Sequence, residues 1–277
     1  MASPHLLKDL RLLHRVLCST KAPLDATFKD LFEPIFEKAT CKAVNTLTAL
    51  CREGSENSFD ELPSLEPFFS PIADQAGPLG VRVKTEVPAG RLMCLYPGRI
   101  FLDDVPLPAG DKLFTNEYEG IHMDGKGWLP MVWRQHPVLA DQPASSIWHG
   151  NRLAVGNLLN HPSAGQLPNC TPMPFWWPSW HTLGETSPAC WARLVPHVVM
   201  KDGQVVRTAS GEKTGNGCDK LTFPAWPHMG MAFFSIRSLK PGDELLLNYR
   251  LSPPFPAWYS PVDDAELEVA VEAELSG

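Results

Sequence analysis

The chain has 277 residues and a mass of 30.6 kDa, with 44% hydrophobic and 20% charged residues, enough to bury a core without disulfide staples. A net charge of −7 argues against a general nucleic-acid binder, because phosphate recognition needs clustered Lys and Arg. The acid is localised: Asp263, Asp264, Glu266, Glu268, Glu272 and Glu274 lie near the C-terminus with no base among them.

Proline, at 28 residues, is about twice as frequent as usual. Proline breaks helix interiors and central strands, so the body of the chain is expected to be strands and loops rather than helical repeats. The seven cysteines are scattered, with no Cys-x-x-Cys pair, which disfavours a disulfide scaffold or a zinc ribbon. No His-x-x-x-His pair brackets an acid, and no metal site is expected. No apolar run reaches the ~18 residues of a membrane span. The first residues carry charges where a signal peptide needs an apolar core. An intracellular, reducing location without membrane contact is expected.

In chain order, residues 1–53 read as a helical region. Leu6, Leu10, Leu13 and Leu17 share one helical face, and Phe28, Leu31, Ile35, Ala39, Ala43, Leu47 and Leu50 continue the pattern past a break at Pro34. Residues 54–65 are assigned to a linker, and linker-like composition runs on to residue 70. Val81, Val83, Thr85 and Val87 alternate with Arg82, Lys84 and Glu86, which predicts a strand. The Pro88-Ala89-Gly90 turn and the run from Leu92 to Tyr96 predict a hairpin with it. Residues 102–150 show few periodic runs, and 172–228 read as an irregular insert rich in Trp and Pro, marked by Trp176, Trp177, Trp180 and Trp191. Met231–Arg237 reads as a strand. Lys240-Pro241-Gly242-Asp243 predicts a type II turn, and Glu244–Tyr249 a returning strand. Gly211-Glu212-Lys213-Thr214 lacks the upstream glycine of a phosphate loop, and Gly215-Asn216-Gly217 lacks a third glycine.

Three separated segments, in order, resemble the SET-domain family of lysine methyltransferases. Gly77 to Gly90, running into Tyr96-Pro97-Gly98, is similar to the family's opening Gly-x-Gly strand and its Tyr-x-Gly. Gly156-Asn157-Leu158-Leu159-Asn160-His161, followed by Pro168-Asn169-Cys170, is similar to its Arg-Phe-x-Asn-His-Ser-Cys-x-Pro-Asn stretch. Ala232 to Arg237, then Gly242-Asp243-Glu244-Leu245 and Asn248-Tyr249, is similar to its closing hairpin, Gly-Glu-Glu-Leu-x-x-Asp-Tyr. The resemblance covers residues 66–250. It departs from the pattern at Pro78, at Pro162, at Asn248, and in lacking flanking cysteine-rich modules.

The resemblance implies an α+β protein. Its core would be a SET-type β-clip of small curled sheets with a pseudoknot-like threaded connection, preceded by the helical region and followed by an aromatic, Pro-rich segment and acidic tail at 251–277. It implies a methyltransferase that moves a methyl group from S-adenosyl-L-methionine to a lysine of a partner protein or peptide, without nucleic acid or membrane. Tyr249 would stand beside the methyl group as the catalytic residue. Asn160 and His161 would bind the cofactor with Tyr249, and Gly80 and Val81 would approach it through the backbone. Phe233, Phe234 and Leu247 would be core or channel walls, and Phe255, Trp258 and Tyr259 would close the lysine channel.

Two other readings remain open at this point. A catalytically silent SET fold would serve as an interaction module, a reading favoured by the altered glycine and His-Pro motifs. A plain all-β scaffold with coincidental motifs would leave Asn160, His161 and Tyr249 far apart.

Overall fold

A computed structural model describes residues 63–72, 79–101, 113–116, 121–176, 197–201, 204–208, 229–251, 253–263, 265–267 and 269. The expected helical region at 1–53, nearly all of the linker, Trp177, Trp180, Trp191 and the end of the acidic tail lie outside the described residues.

Among the described residues the strands are β1 (Leu65–Phe69), β2 (Leu79–Val83), β3 (Leu92–Leu95), β4 (Gly98–Phe101), β5 (Leu113–Asn116), β6 (Ile121–Asp124), β7 (Trp128–Pro130), β8 (Ile147–His149), β9 (Cys170–Trp176), β10 (His197–Lys201), β11 (Gln204–Thr208) and β12 (Met229–Ser235). They form four small sheets, ordered β1-β2, β11-β10-β4-β6-β5, β3-β12-β9 and β7-β8. Pairing is antiparallel except for β10 with β4 and β7 with β8. Single 3-10 turns occupy Met131–Trp133, Pro137–Leu139 and Gly156–Leu158, and residues 265–267 are helical under an Asp263 cap whose Oδ1 accepts from Ala265 N at 2.9 Å.

The core centres on β12. Its sequence, Met-Gly-Met-Ala-Phe-Phe-Ser, is apolar on both faces, as a strand covered on both sides requires. Ala232, Phe233 and Phe234 have no exposed surface. Its partner β3, Leu-Met-Cys-Leu, is buried at every position. Val81, Val83, Tyr96, Val155, Leu159, Leu245 and Leu247 join the same cluster.

Four expectations need correction. The predicted hairpin of 81–87 with 92–96 does not form. β2 pairs instead with β1, Val81 opposite Pro67, and β3 pairs with β12. Alternation marks strand character, but the strand itself ends at Val83 and alternation carries no information about the partner. The linker-like stretch up to residue 70 contains β1; its Pro67 is tolerated because β1 is an edge strand. The insert at 172–228 is more regular than expected: β9 runs on to Trp176, and β10 and β11 pair with each other. Glu244–Tyr249 is not a regular strand and does not pair with β12.

Residues 244–247 are gripped by three other segments. Leu245 N donates to Val81 O at 2.8 Å, Leu247 N to Asn160 O at 2.8 Å, and Asn169 N and Cys170 N both donate to Leu246 O at 3.0 Å. The bridges to Asn160 and Cys170 are parallel, and that between Arg82 and Glu244 is antiparallel. The turn that delivers this segment forms as expected: Gly242 has φ +93° and Asp243 N donates to Lys240 O at 3.0 Å. Pro241 pre-sets one central position of that turn, and glycine alone adopts the other without strain.

Candidate active site

The residues singled out in the sequence come together where 244–249 passes between β2 and the 159–161 segment. Asn160 is 6% exposed and His161 fully buried, so both sit in the wall of the site rather than on a surface loop. The Asn160 amide nitrogen donates to Leu79 O at 3.1 Å and to Glu244 Oε1 at 2.9 Å. Glu244 Oε2 accepts from Ser70 Oγ at 3.0 Å. Burial holds the Glu244 carboxyl above its usual range, while the two hydrogen bonds pull it back.

Gly80 is where close approach is needed. A Cβ there would lie 2.5 Å from Glu244 Oε1, 2.9 Å from the Phe68 ring and 3.0 Å from Asn160 Nδ2. The missing side chain makes room for Glu244 and Asn160. Val81 has no exposed side chain and its carbonyl accepts from Leu245 N, so its structural part is in the core and the 244–249 grip.

His161 ties two later segments together. Its Nδ1 accepts from Tyr249 N at 3.3 Å, and its Nε2 lies 2.7 Å from Ser260 O. Only the neutral ring with its proton on Nε2 satisfies both, since a carbonyl needs a donor and an N–H needs an acceptor. Burial pushes the imidazole below its ordinary value. The ring stacks on Tyr259 at 4.3 Å between centroids.

Tyr249 is half-buried, and its hydroxyl donates to Leu159 O at 2.6 Å. Burial, reinforced by the negative Glu244, raises its phenol well above the ordinary value, so the proton stays on the oxygen. Arg250, next in the chain, has φ +51°, a conformation that bends the backbone away after the tyrosine. The aromatic segment that follows folds back: Trp258 meets Tyr249 edge-on at 6.3 Å, and Phe255 lies 5.1 Å from Tyr259. Tyr259 is anchored through its hydroxyl, which accepts from Leu251 N at 3.2 Å.

Asn169 closes the arrangement from behind. It is 1% exposed, donates to Glu244 O at 2.7 Å and accepts from Leu246 N at 2.8 Å. The sequence assigns no role in the site to two further residues, Glu244 and Tyr96. Glu244 reads in the sequence only as the first residue of a returning strand and part of the closing hairpin motif. Tyr96 reads in the sequence as a strand end and part of Tyr-Pro-Gly, yet it is buried, hydrogen-bonded to the Gly125 backbone, and its phenol is raised first by burial and then by Asp124 and Tyr249. The signal for Tyr96 was the following Gly98, which has φ +143° and packs so closely on the Asp124 carbonyl that no Cβ fits. Phe233, Phe234 and Leu247 are core residues, each at most 3% exposed. Among the described residues no group of three or more His, Cys, Asp or Glu side chains is placed to hold a metal, and no helix is long and apolar enough to cross a membrane.

No protein-family model matches the sequence, and no curated protein matches it significantly. Solved structures do match. KRYPTONITE in complex with mCHH DNA, an H3(1–15) peptide and SAH is 15% identical, with a TM-score of 0.34 over 69% of this chain and 24% of that one. KRYPTONITE with mCHG DNA and SAH gives 16% identity, a TM-score of 0.33, and coverage of 70% and 25%. A humanized mutant of the Chaetomium thermophilum Polycomb Repressive Complex 2, bound to an inhibitor, gives 14%, a TM-score of 0.32, and coverage of 81% and 24%. The chain thus spans about a quarter of the length of the structures it matches.

Proposed function

We propose that this chain is a SET-type methyltransferase that transfers a methyl group from S-adenosyl-L-methionine to a lysine side chain of a protein. The observation that carries the reading is convergence. Gly80, Asn160, His161 and Tyr249 span 169 positions of sequence, yet Asn160 bonds to Leu79 and Glu244 where they pack against Gly80, and Tyr249 bonds to His161 and Leu159. A coincidental scaffold would scatter them. The grip on 244–247 by β2, Asn160 and Cys170 supports the threaded connection of that fold. The details at Leu153–Asn157, Leu95–Gly98 and Asp124-Gly125 resemble the group of SET domain-containing protein nine and its relatives, and we place the chain there. Residues 66–250 would form the SET domain.

The donor set suits such a cofactor. An acceptor-rich patch of the Glu244 carboxylate and the Leu79 carbonyl stands beside the Asn160 amide, and acceptors favour a cationic ligand. When bound, the cofactor supplies an activated sulfonium methyl. The chain's own residues bind, align and desolvate. Tyr249, its proton committed to Leu159, offers an acceptor oxygen that orients the incoming amine. Trp258, Tyr259 and Phe255 form an apolar wall that disfavours the ammonium form of a lysine and so favours the neutral nucleophile. Asn160 and His161 hold the cofactor, with Gly80 and Val81 lending backbone.

A second reading has one observation in its favour. The Asn160 amide hydrogens and the space at Gly80 are already taken by Leu79 and Glu244, as in a silent SET fold used for protein interaction. Incubation with labelled S-adenosyl-L-methionine and lysine-bearing proteins, histone and non-histone, separates the two. Label on lysine, reduced by about 100-fold or more in Tyr249→Phe, is the expected result. Peptide binding with no cofactor binding and no transfer would favour the interaction module.

A further inference from the structure

Three residues of one short segment serve two tyrosines. Leu159 O accepts from the Tyr249 hydroxyl at 2.6 Å, and His161 Nδ1 accepts from Tyr249 N at 3.3 Å. Asn157 works on the turn beside Tyr96. Its Nδ2 donates to Gly125 O at 2.7 Å and to Trp128 O at 3.0 Å, so one amide closes the turn that leads from β6 into β7. The Asn157 Oδ1 has no hydrogen-bond partner among the described residues. The two donors are what this side chain contributes, and a carboxylate of the same shape could not replace them.

The turn is held from two more sides. Asp124 Oδ1 accepts from Lys126 N at 2.9 Å, and its Oδ2 lies 3.5 Å from Nη1 of Arg99, its register partner on β4. Gly125 is wedged in place. A Cβ there would lie 2.8 Å from Asn157 Cβ, 2.9 Å from Pro97 O and 3.0 Å from the Tyr96 ring. A peptide packed that closely has little room to shift, and it is the peptide that holds the Tyr96 phenol. The bond between the Gly125 backbone and that phenol eases ionisation of the phenol, so the Gly125 N–H donates and the phenol oxygen accepts. Tyr96 belongs to the core cluster that Tyr249 borders, and the two phenols are near enough to oppose each other's ionisation. Backbone groups thus hold them in opposite senses: Tyr96 takes an N–H, and Tyr249 gives its proton to a carbonyl.

We propose that Asn157 is a positioning residue for methyl transfer: by clamping the Gly125 and Trp128 carbonyls it sets where Tyr96 stands relative to Tyr249, and so the space that the substrate amine enters beside Tyr249. This rests on the methyltransferase reading. Residues 157, 159 and 161 then act as one jig for both phenols, while Asn160 between them binds Leu79 and Glu244. Releasing Asn157 frees the Gly125 peptide and lets Tyr96 move, without touching the bonds of Asn160.

The test is fluorine NMR of the full chain labelled with 3-fluorotyrosine. Four tyrosines give four resonances, each assigned by its own Tyr→Phe variant. Asn157→Ala and Asn157→Asp should both move the Tyr96 resonance and leave that of Tyr259 in place. On a lysine-bearing substrate kcat should fall about 10- to 100-fold, the scale of a small misplacement at the reacting centre, with the KM for S-adenosyl-L-methionine within about 2-fold of wild type. A Tyr96 resonance unmoved in both variants overturns the inference. So does an equal movement of the Tyr96, Tyr249 and Tyr259 resonances, since that marks general loosening. Should neither variant fold, wild type decides: the Gly125 amide should resist hydrogen exchange and lose that protection in Tyr96→Phe, and an unprotected Gly125 amide overturns the inference. These outcomes leave the methyltransferase reading standing. A wild type whose Tyr96 resonance responds to Asn157 but which transfers no methyl group overturns the methyltransferase reading and leaves the placement of Tyr96 standing.

Discussion

Adding one methyl group at residue 80 is the sharpest test of how the site is built. In Gly80→Ala the new Cβ would sit 2.5 Å from Glu244 Oε1, 2.9 Å from Phe68 Cε1 and 3.0 Å from Asn160 Nδ2. Ordinary contact begins near 3.4 Å, so the carboxylate oxygen must retreat by nearly an ångström. That retreat breaks its 2.9 Å bond to Asn160 and disturbs the 3.0 Å bond from Ser70. A hydrogen bond to a charged group contributes about 1.5–3 kcal/mol, and overpacking a tight site adds about 1–3 kcal/mol. Some relaxation of the Phe68 ring offsets part of this, which leaves a destabilisation of about 2–4 kcal/mol. Urea denaturation monitored by tryptophan fluorescence reads it as a lower midpoint at unchanged slope. A change below about 0.5 kcal/mol, the scale of neutral surface substitutions, would show that Glu244 does not lie against Gly80 and would remove the basis of the arrangement.

Asn169→Ala should be comparably damaging, at about 2–4 kcal/mol, because it orphans both Leu246 N and the Glu244 carbonyl; stability within about 1 kcal/mol of wild type would sink the two-sided clamp. Gly242→Ala tests backbone conformation alone, since a Cβ there meets nothing within 4 Å while φ is +93°. It should lose about 1–2 kcal/mol, and Gly242→Asn less. Stability should also fall on acidification. His161 is depressed in the folded state, so its contribution is complete above the unfolded value of 6.5 and is lost as pH falls from there toward the folded value. His161→Asn should flatten the slope of unfolding free energy between pH 7 and pH 5; an unchanged slope would mean the ring is not held neutral. Glu244 acts in the opposite sense. Its raised carboxyl contributes most below the ordinary carboxyl value of 4.5 and loses that contribution as pH rises, so Glu244→Gln should steepen the gain in stability above pH 5.

Much of the site was legible as residue types in order, because each carries local chemistry. Pro241 and Gly242 encode a turn wherever they stand, and the turn forms. Met229–Ser235 is apolar at nearly every position; it is the central strand of its sheet, and Met231–Ser235 is buried. The motif around Asn160 and His161 and the tyrosine at 249 could be named because their spacing was specific. Partnership was not legible in the same way. Alternation from Val81 to Val87 announces a strand but says nothing of its neighbour, and the nearest run, Leu92–Tyr96, was the wrong one. Glu244 reads as the start of a strand because its role depends on Ser70, 174 positions away, and on Asn160, 84 positions away.

The sequence by itself determined composition-level facts and local geometry: an acidic C-terminal segment, strand-forming runs, a Pro-Gly turn, and three motifs that resemble those of one family. Those follow from side-chain chemistry and backbone preference within a few residues. Tertiary structure alone decided that 244–247 is held between β2, Asn160 and Cys170, that the aromatic segment after Pro256 folds back onto His161 and Tyr249, and that the half-buried Glu244 is met by Asn160 and Ser70. The reason is physical. Pairing, burial and the balance of charge are set by what lies close in space, and in this fold the neighbours come from opposite ends of the chain.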